Sequence, residues 1–375
     1  MKKIRFNKSV YIAFIVFFVL IIVMVILLLN QNNESVDKSK ENVNEEPNKT
    51  VEELPKEKRM SLIAVGDILI HESVYKDAYN STTGTYNFHY MFTDVQDIIK
   101  KYDLKFCNQE SNIGGKTLGI SGYPSFNSPD EIGDELVNLG FNLISLANNH
   151  TLDKGEDAAL YSNSYWKSKN VNFAGSYSSI EERNEVKIYE QNGIKYAFLA
   201  YTTISNAKVR NEYLLNMYSA EKAKTDIELV KDKVDVIIVS MHWGVENTHV
   251  PTDNQRQIAE YLNFLGVNVI IGHHSHVVQP VEYIGNTLVI YSLGNFISNQ
   301  LSLTLKNGIG LMYGVDIVVD DSGVRFENEY KELVLAYAEK STNFKVIPFS
   351  KLNNNLLNDY ENINKQYMDI VNGGE

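Results

Sequence analysis

Short apolar runs that stop abruptly at polar residues recur along this chain. The principal ones are SLIAVGD (61–67), LKFCNQE (104–110), FNLISLA (141–147), VDVIIVSMHWGVE (234–246), VNVIIGHHSHVVQP (267–280) and LVIYSLGNF (288–296). Runs that are apolar without alternation read as strands buried on both faces, as in parallel sheets. Between them lie helical patterns over 92–101, 130–139, 157–169, 219–231 and 254–265. Strands alternating with helices predict an α/β fold, a layered mixed β-sheet sandwich flanked by helices. The sheets are mixed because hairpins interrupt the pattern. VKIYEQNGIKYAFLAYT (186–202) turns at Asn192-Gly193, a strong hairpin signal. GLMYGVDIVVDDSGVRFE (310–327) turns over Asp321 to Gly323. The Asn-rich remainder, 326–375, reads as a C-terminal strand/helix extension, a surface helix with a loose tail.

The N-terminus follows a different rule. Lys2, Lys3, Arg5 and Lys8 precede an uncharged apolar run over 10–29. Twenty such residues are the length a helix needs to cross the hydrocarbon core, about 30 Å thick. The basic flank places the N-terminus inside. No small-residue cleavage site closes the run, so a retained signal anchor is expected, not a cleaved leader. Residues 30–59 carry Asn, Glu, Lys and Ser with Pro47 and Pro55, and read as a disordered extracytoplasmic linker. The expected organisation is a cytoplasmic tail over 1–9, a transmembrane anchor over 10–29, the linker over 30–59, a globular domain over 60–325 and the extension over 326–375. The expected location is the cell membrane, single-pass, with the main domain extracytoplasmic.

A net charge of -12 argues against nucleic acid as a partner. It leaves an anionic substrate open, because a metal site supplies local positive charge. One cysteine, Cys107, rules out an intrachain disulfide and any cysteine-based metal site.

The chemistry gathers at the strand ends. Five apolar runs leave the core at Asp67, Glu110, Asn149-His150, His242 and His274-Ser275-His276. In open α/β sheets the carboxyl ends of strands are where ligands bind. Each residue has a structural explanation alone; five at strand ends point to a shared site. Carboxylate, amide oxygen and imidazole together suit Mn, Fe or Zn, as one or two divalent ions. His150, with Asp153 three residues on to orient it, is placed beside the ligands, as a support for them or as general acid.

GDILIH, NQES, SLANNHTLDKG, MHWGVE, IIGHHSHVVQP and YSLGNF occur in this order. Together they resemble the CapA-type poly-γ-glutamate capsule synthesis proteins, whose fold is that of the calcineurin-like metallophosphoesterases. The resemblance covers roughly 61–320. It implies a membrane-anchored protein in the synthesis or export of poly-γ-glutamate or another cell-surface polymer. Its partners would be membrane-bound synthase or export subunits, and its substrate an anionic polymer or phosphoester. Carried over by position, it implies Asp67, Glu110, Asn149, His242, His274 and His276 as metal ligands, with Glu110 at the bridging position. His150 and Asp153 follow as catalytic residues; Asn148, Glu246 and Asn295 are placed at the substrate-binding rim. Two positions depart from the wider superfamily. Leu69 stands where a histidine is usual, the nearest being His71, and the last motif is one residue longer, so His273 competes with His274 as ligand. Two readings follow: a metal-dependent hydrolase of phosphoesterase type, or a non-catalytic metal-stabilised scaffold of a polymer synthase.

Overall fold

The computed structural model describes residues 57–300 and 304–374. Strand β1 (Lys58–Ile68) is followed by helix α1 (Glu72–Ala78), then β2 (Leu104–Asn108), α2 (Asp130–Leu139), β3 (Leu143–Ser145), α3 (Glu156–Ser168) and β4 (Asn172–Ala174). The chain continues through β5 (Tyr189–Gln191), β6 (Ile194–Thr202), α4 (Ala220–Val230), β7 (Val236–His242), α5 (Asp253–Leu265) and β8 (Val269–His273). It closes with β9 (Val281–Ile284), β10 (Thr287–Ile290), β11 (Asn295–Ile297), β12 (Ile309–Asp320), β13 (Gly323–Glu339), β14 (Thr342–Pro348) and α6 (Tyr360–Val371).

These strands form two large mixed sheets. One runs in the order β14-β13-β12-β1-β2-β3-β4, with β11 also paired to β1. The other runs β9-β10-β8-β7-β6-β5. Strands β1 to β4 are parallel in the first sheet, as are β6, β7, β8 and β10 in the second. The inner faces meet in one core that contains Leu62, Phe106 and Leu143 from the first sheet and Phe198, Ile238 and Ile271 from the second. The outer face of the first sheet packs Ile63, Val65 and Ile144 with Ile132 and Leu136 of α2. The outer face of the second packs Ile237, Val239 and Met241 with α4 and α5. The α/β sandwich therefore has helices on both outer faces. The uninterrupted apolar runs follow from this layering, since each central strand is covered on both sides.

Three readings change. LVIYSLGNF is not one strand: β10 ends at Ile290 in the second sheet and β11 starts at Asn295 against β1 in the first. Gly294, at φ 66°, makes that crossing between sheets. The helix expected over 92–101 is shortened to Gln96–Ile99, preceded by a 3-10 turn, His89–Met91. The boundary expected at 325/326 falls inside β13, and β14 (TNFKVIP) adds a further strand, so the first part of the extension, up to Pro348, belongs to the first sheet.

Among the described residues no helix is long and apolar enough to cross a membrane. The anchor expected over 10–29 lies outside the described residues, as does nearly all of the expected linker; its last two residues, Lys58 and Arg59, begin β1.

Candidate metal centre

Parallel strands from both sheets end on the same side of the sandwich. Asp67 and Asn108 are register partners at the ends of β1 and β2, and His242 and His273 are partners at the ends of β7 and β8. The loops beyond these ends bring in Glu110, Asn149, His274 and His276. Two groups of side chains result, each with ligand atoms within 4.8 Å of one another: Glu110, His242 and His274, and Asp67, Glu110 and His276. Glu110 belongs to both. Its Oε1 lies 3.8 Å from Nε2 of His242 and 3.8 Å from Nε2 of His276. Asn149 joins the first group through Oδ1, 2.8 Å from His242 Nε2.

The donor atoms are left without other duties. Glu110 is fully buried and neither carboxylate oxygen has a hydrogen-bond partner; His274 Nδ1 is likewise buried and unpartnered, and Asp67 Oδ2, buried and without a hydrogen bond, faces His276 Nδ1 at 3.3 Å. A buried unpaired carboxylate is costly, and such atoms call for a ligand. Asp67 Oδ1, by contrast, accepts from Asn108 Nδ2 at 2.8 Å and faces His273 Nδ1 at 3.4 Å. The carboxylate is thus turned so that Oδ2 faces the cluster.

The electrostatics show the same gap. Burial pushes Glu110 well above the usual carboxylate range, and the Asp67 charge adds to it. Burial acts on Asp67 too, but His273 and His276 outweigh it and hold that carboxyl well below its usual range. Burial, then His274, drives His242 far down, and burial, then His276, brings His274 to about 4. Burial would lower His276 as well, yet Glu110 and Asp67 hold it up at about 9. Two carboxylates and three imidazoles in one dry space cannot all take their preferred states. Carboxylate oxygens, an amide oxygen and imidazoles are the donors of a borderline divalent cation, so the residues fit one or two such ions.

The histidine loop is held by a polar clasp. His274 and His276 both take positive φ, 89° and 56°, which non-glycine residues avoid. Opposite them, the Asn247 N–H donates to Ser275 O at 2.7 Å, and Asn307 Nδ2 donates to Asn247 Oδ1 at 2.5 Å. Asn295 Oδ1 lies 3.1 Å from His276 Nδ1, while Asn295 Nδ2 donates to Asn307 O at 2.8 Å. The clasp orients His276 so that Nε2 faces Glu110.

His150 stands beside the cluster. Its Nδ1 donates to Asp153 Oδ2 at 2.7 Å, and its ring meets the Phe126 ring edge-on at 4.7 Å. The Phe126 N–H also donates to Asp153 Oδ2, at 2.9 Å. The pair expected from SLANNHTLDKG is therefore formed. The expected rim divides. Glu246 is exposed and close enough to raise both Glu110 and His276. Asn148 and Asn295 are buried and hydrogen-bonded within the protein. Asn148 donates to Gln109 O and accepts from the His150 N–H; Asn295 serves the clasp. Of the adjacent histidines, His274 is in the cluster and His273 stands behind Asp67, stacked on Phe106 at 5.2 Å. His71 belongs to neither group; its Nδ1 lies 3.2 Å from Leu69 O and 3.2 Å from the Asn299 N–H.

Four positions carried no assigned role in the sequence: Asn108, Asn206, Asn247 and Asn307. Asn108 has a visible signal, the strand end shared with Glu110. Asn206 and Asn247 sit in irregular segments and Asn307 in a 3-10 turn, and their partners are distant in sequence.

A family model described as "Bacterial capsule synthesis protein PGA_cap" matches residues 61–300. The "PGA biosynthesis protein CapA" of Bacillus subtilis (strain 168) is 31% identical over 169 residues, 44% of this chain and 44% of that protein. The "Capsule biosynthesis protein CapA" of Bacillus anthracis is 25% identical over 264 residues, 64% of this chain and 60% of that protein. The chain thus spans about half the length of these curated relatives. Among solved structures it is similar to a phosphatase from Mycoplasma pneumoniae, with 17% identity and a TM-score of 0.45 over 74% of this chain and 94% of that one. It is also similar to a 5'-nucleotidase from Candida albicans SC5314, with 13% identity and a TM-score of 0.44 over 73% of this chain and 51% of that one.

Proposed function

Because the chain belongs to the bacterial capsule synthesis protein family, we propose that it acts in the synthesis or export of a cell-surface polymer as a metal-dependent hydrolase of phosphoesterase type. The observation that carries the reading is Glu110, buried, with both oxygens unpartnered, and common to two ligand groups. Asp67, Glu110 and His276 would hold one ion. Glu110, His242, His274 and the Asn149 amide oxygen would hold a second. When bound, Mn, Fe or Zn there supplies Lewis acidity toward a phosphoryl or carbonyl oxygen.

The chain's own residues do the rest. Asp153 accepts the Nδ1–H of His150 and so fixes the orientation of the ring. Nε2 is then the atom that passes a proton to a leaving group, as a general acid requires. The Phe126 ring against His150 keeps water off one side of the imidazole. Asn108 and the clasp fix Asp67 and His276, which limits reorganisation when substrate enters.

The apolar run over 10–29 supports placing this domain outside the cytoplasmic membrane, beside membrane-bound synthase or export subunits, with an anionic polymer or phosphoester as substrate. A scaffold role is the second reading, favoured by Leu69 in place of a histidine, which leaves the Asp67 group with three ligands. Purified full-length protein decides between them. Near-stoichiometric metal, hydrolysis of phosphoesters, and loss of polymer in a His242→Ala strain of normal protein abundance support chemistry. Polymer retained in that strain supports scaffolding.

A further inference from the structure

In a chain of net charge -12, cations beside the site are few. Two nearby are already committed: Lys76 pairs with Glu72 at 2.6 Å, and Lys306 donates to the Asn247 carbonyl at 2.9 Å. Lys154, Lys208 and Arg210 form no ion pair and no side-chain hydrogen bond among the described residues. They lie on two segments stitched together at both ends. At one end the Asn206 N–H donates to Asn149 O at 3.0 Å, and the Asn206 side-chain amide lies 3.3 Å from His150 Nδ1. At the other end Asn211 Nδ2 donates to Glu156 Oε2 at 2.9 Å. Lys154 sits between these links on one segment, and Lys208 and Arg210 sit between them on the other.

The second segment is oriented by its burial. Ala207 and Val209 are half-buried against the core between the sheets, whereas Asn206, Lys208 and Arg210 are exposed. Ser205 Oγ donates to Ala207 O at 2.7 Å and fixes the turn. The exposed side of the segment therefore touches His150 through Asn206 and carries two cations just beyond it. None of the carboxylates nearby forms an ion pair with them among the described residues. Glu156 is engaged by Asn211, Asp153 by His150 and Phe126, and Glu212 faces Lys222 at 3.5 Å; Asp157 is exposed on α3.

We propose that Lys154, Lys208 and Arg210 form a subsite for a second anionic group, a carboxylate or a phosphate, on the leaving-group side of the scissile bond. The side follows from the reading of His150 as proton donor, so this placement rests on the proposed function. Cations in an acidic surface that pair with nothing within the protein are free to pair with substrate, and they also steer it by long-range attraction. Exposed pairs are individually weak and screened by salt. Three together give a preference of about tenfold at low ionic strength.

The test uses metal-loaded full-length protein with phenyl phosphate and 4-carboxyphenyl phosphate. The carboxylated ester is expected to show a KM about tenfold lower at low salt, an advantage lost at high salt. In a Lys208→Glu, Arg210→Glu variant the ratio of the two KM values falls to about one. Equal KM values in the wild type overturn the proposal. A second arm needs no hydrolysis: binding of tri-γ-glutamate and of tripolyphosphate to metal-free protein, by calorimetry. Salt-sensitive binding that the double variant loses supports the subsite, and the preferred probe identifies carboxylate or phosphate. Binding of neither probe, or binding the variant leaves intact, overturns it. If neither ester is hydrolysed while charge-dependent binding remains, the phosphoesterase reading fails and the subsite stands.

Discussion

Nε2 of His242, at the end of β7, and Oε1 of Glu110, two residues beyond β2 in the opposite sheet, lie 3.8 Å apart, both fully buried. The two residues are 132 positions apart in sequence and meet only because the sheets end together. That separation is too long for a hydrogen bond and suits two ligands of one ion. If metal binds only the folded state, saturating Mn or Zn stabilises it by roughly 4 kcal/mol at a thousandfold excess over Kd. Chelation is expected to lower Tm by about 5–10 °C, and Glu110→Gln to abolish that response. A wild-type melting curve indifferent to chelator and metal alike would remove the metal centre.

His150 and Asp153 predict a separation of chemistry from metal binding. His150→Ala and Asp153→Asn are expected to lower kcat by about 10²–10⁴, with the metal content of the wild type. Elemental analysis alongside the rates checks this; metal lost in step with rate would place His150 among the ligands instead.

The clasp predicts the opposite pattern. Asn295→Ala removes the partner of His276 Nδ1 and one support of a loop held at positive φ. Metal affinity is expected to fall about 10- to 100-fold, read by competition with a chelating dye. Unchanged affinity would mean that Asn247 and Ser275 hold the loop unaided.

Backbone approach at the strand exits is tested by glycine substitution. A Cβ on Gly272 would sit 2.0 Å from Tyr291 O, where backbone cannot yield. Gly272→Ala is expected to cost about 3 kcal/mol or more. Gly84→Ala, at φ 67° with nothing within 4 Å, carries only the left-handed penalty of roughly 1 kcal/mol. Denaturant midpoints compare the two, and equal losses would contradict the packing.

His71 carries a pH dependence. Burial lowers it from 6.5 to about 4. Above pH 6.5 the ring is neutral in both states and its contribution is intact. Between 6.5 and about 4 the unfolded chain takes up a proton that the folded chain refuses, so stability falls with pH and then levels. The total is about 3 kcal/mol. In metal-free protein, His71→Gln is expected to retain roughly 2–3 kcal/mol more than wild type at about pH 4.5, each relative to its own value at pH 7. Parallel losses in both proteins would show that His71 titrates normally.

Much of this was written locally in the chain. Apolar runs ending in Asp67, His242 and the 273–276 histidines fixed the parallel strands and marked their carboxyl ends, because a buried strand must leave the core at a polar residue. Asn192-Gly193 fixed a hairpin, and the spacing of His150 and Asp153 fixed a pair within one loop. Contacts between distant segments were not legible. That Glu110 joins two groups, that Asn295 orients His276 from inside the protein, and that His273 turns behind Asp67 while His274 enters the cluster depend on how two sheets meet. A one-residue choice between adjacent histidines is set by backbone φ and by which face of β8 reaches the inter-sheet core. The division of 288–296 between two sheets has the same origin: local pattern records that a segment is buried, and only packing decides against what.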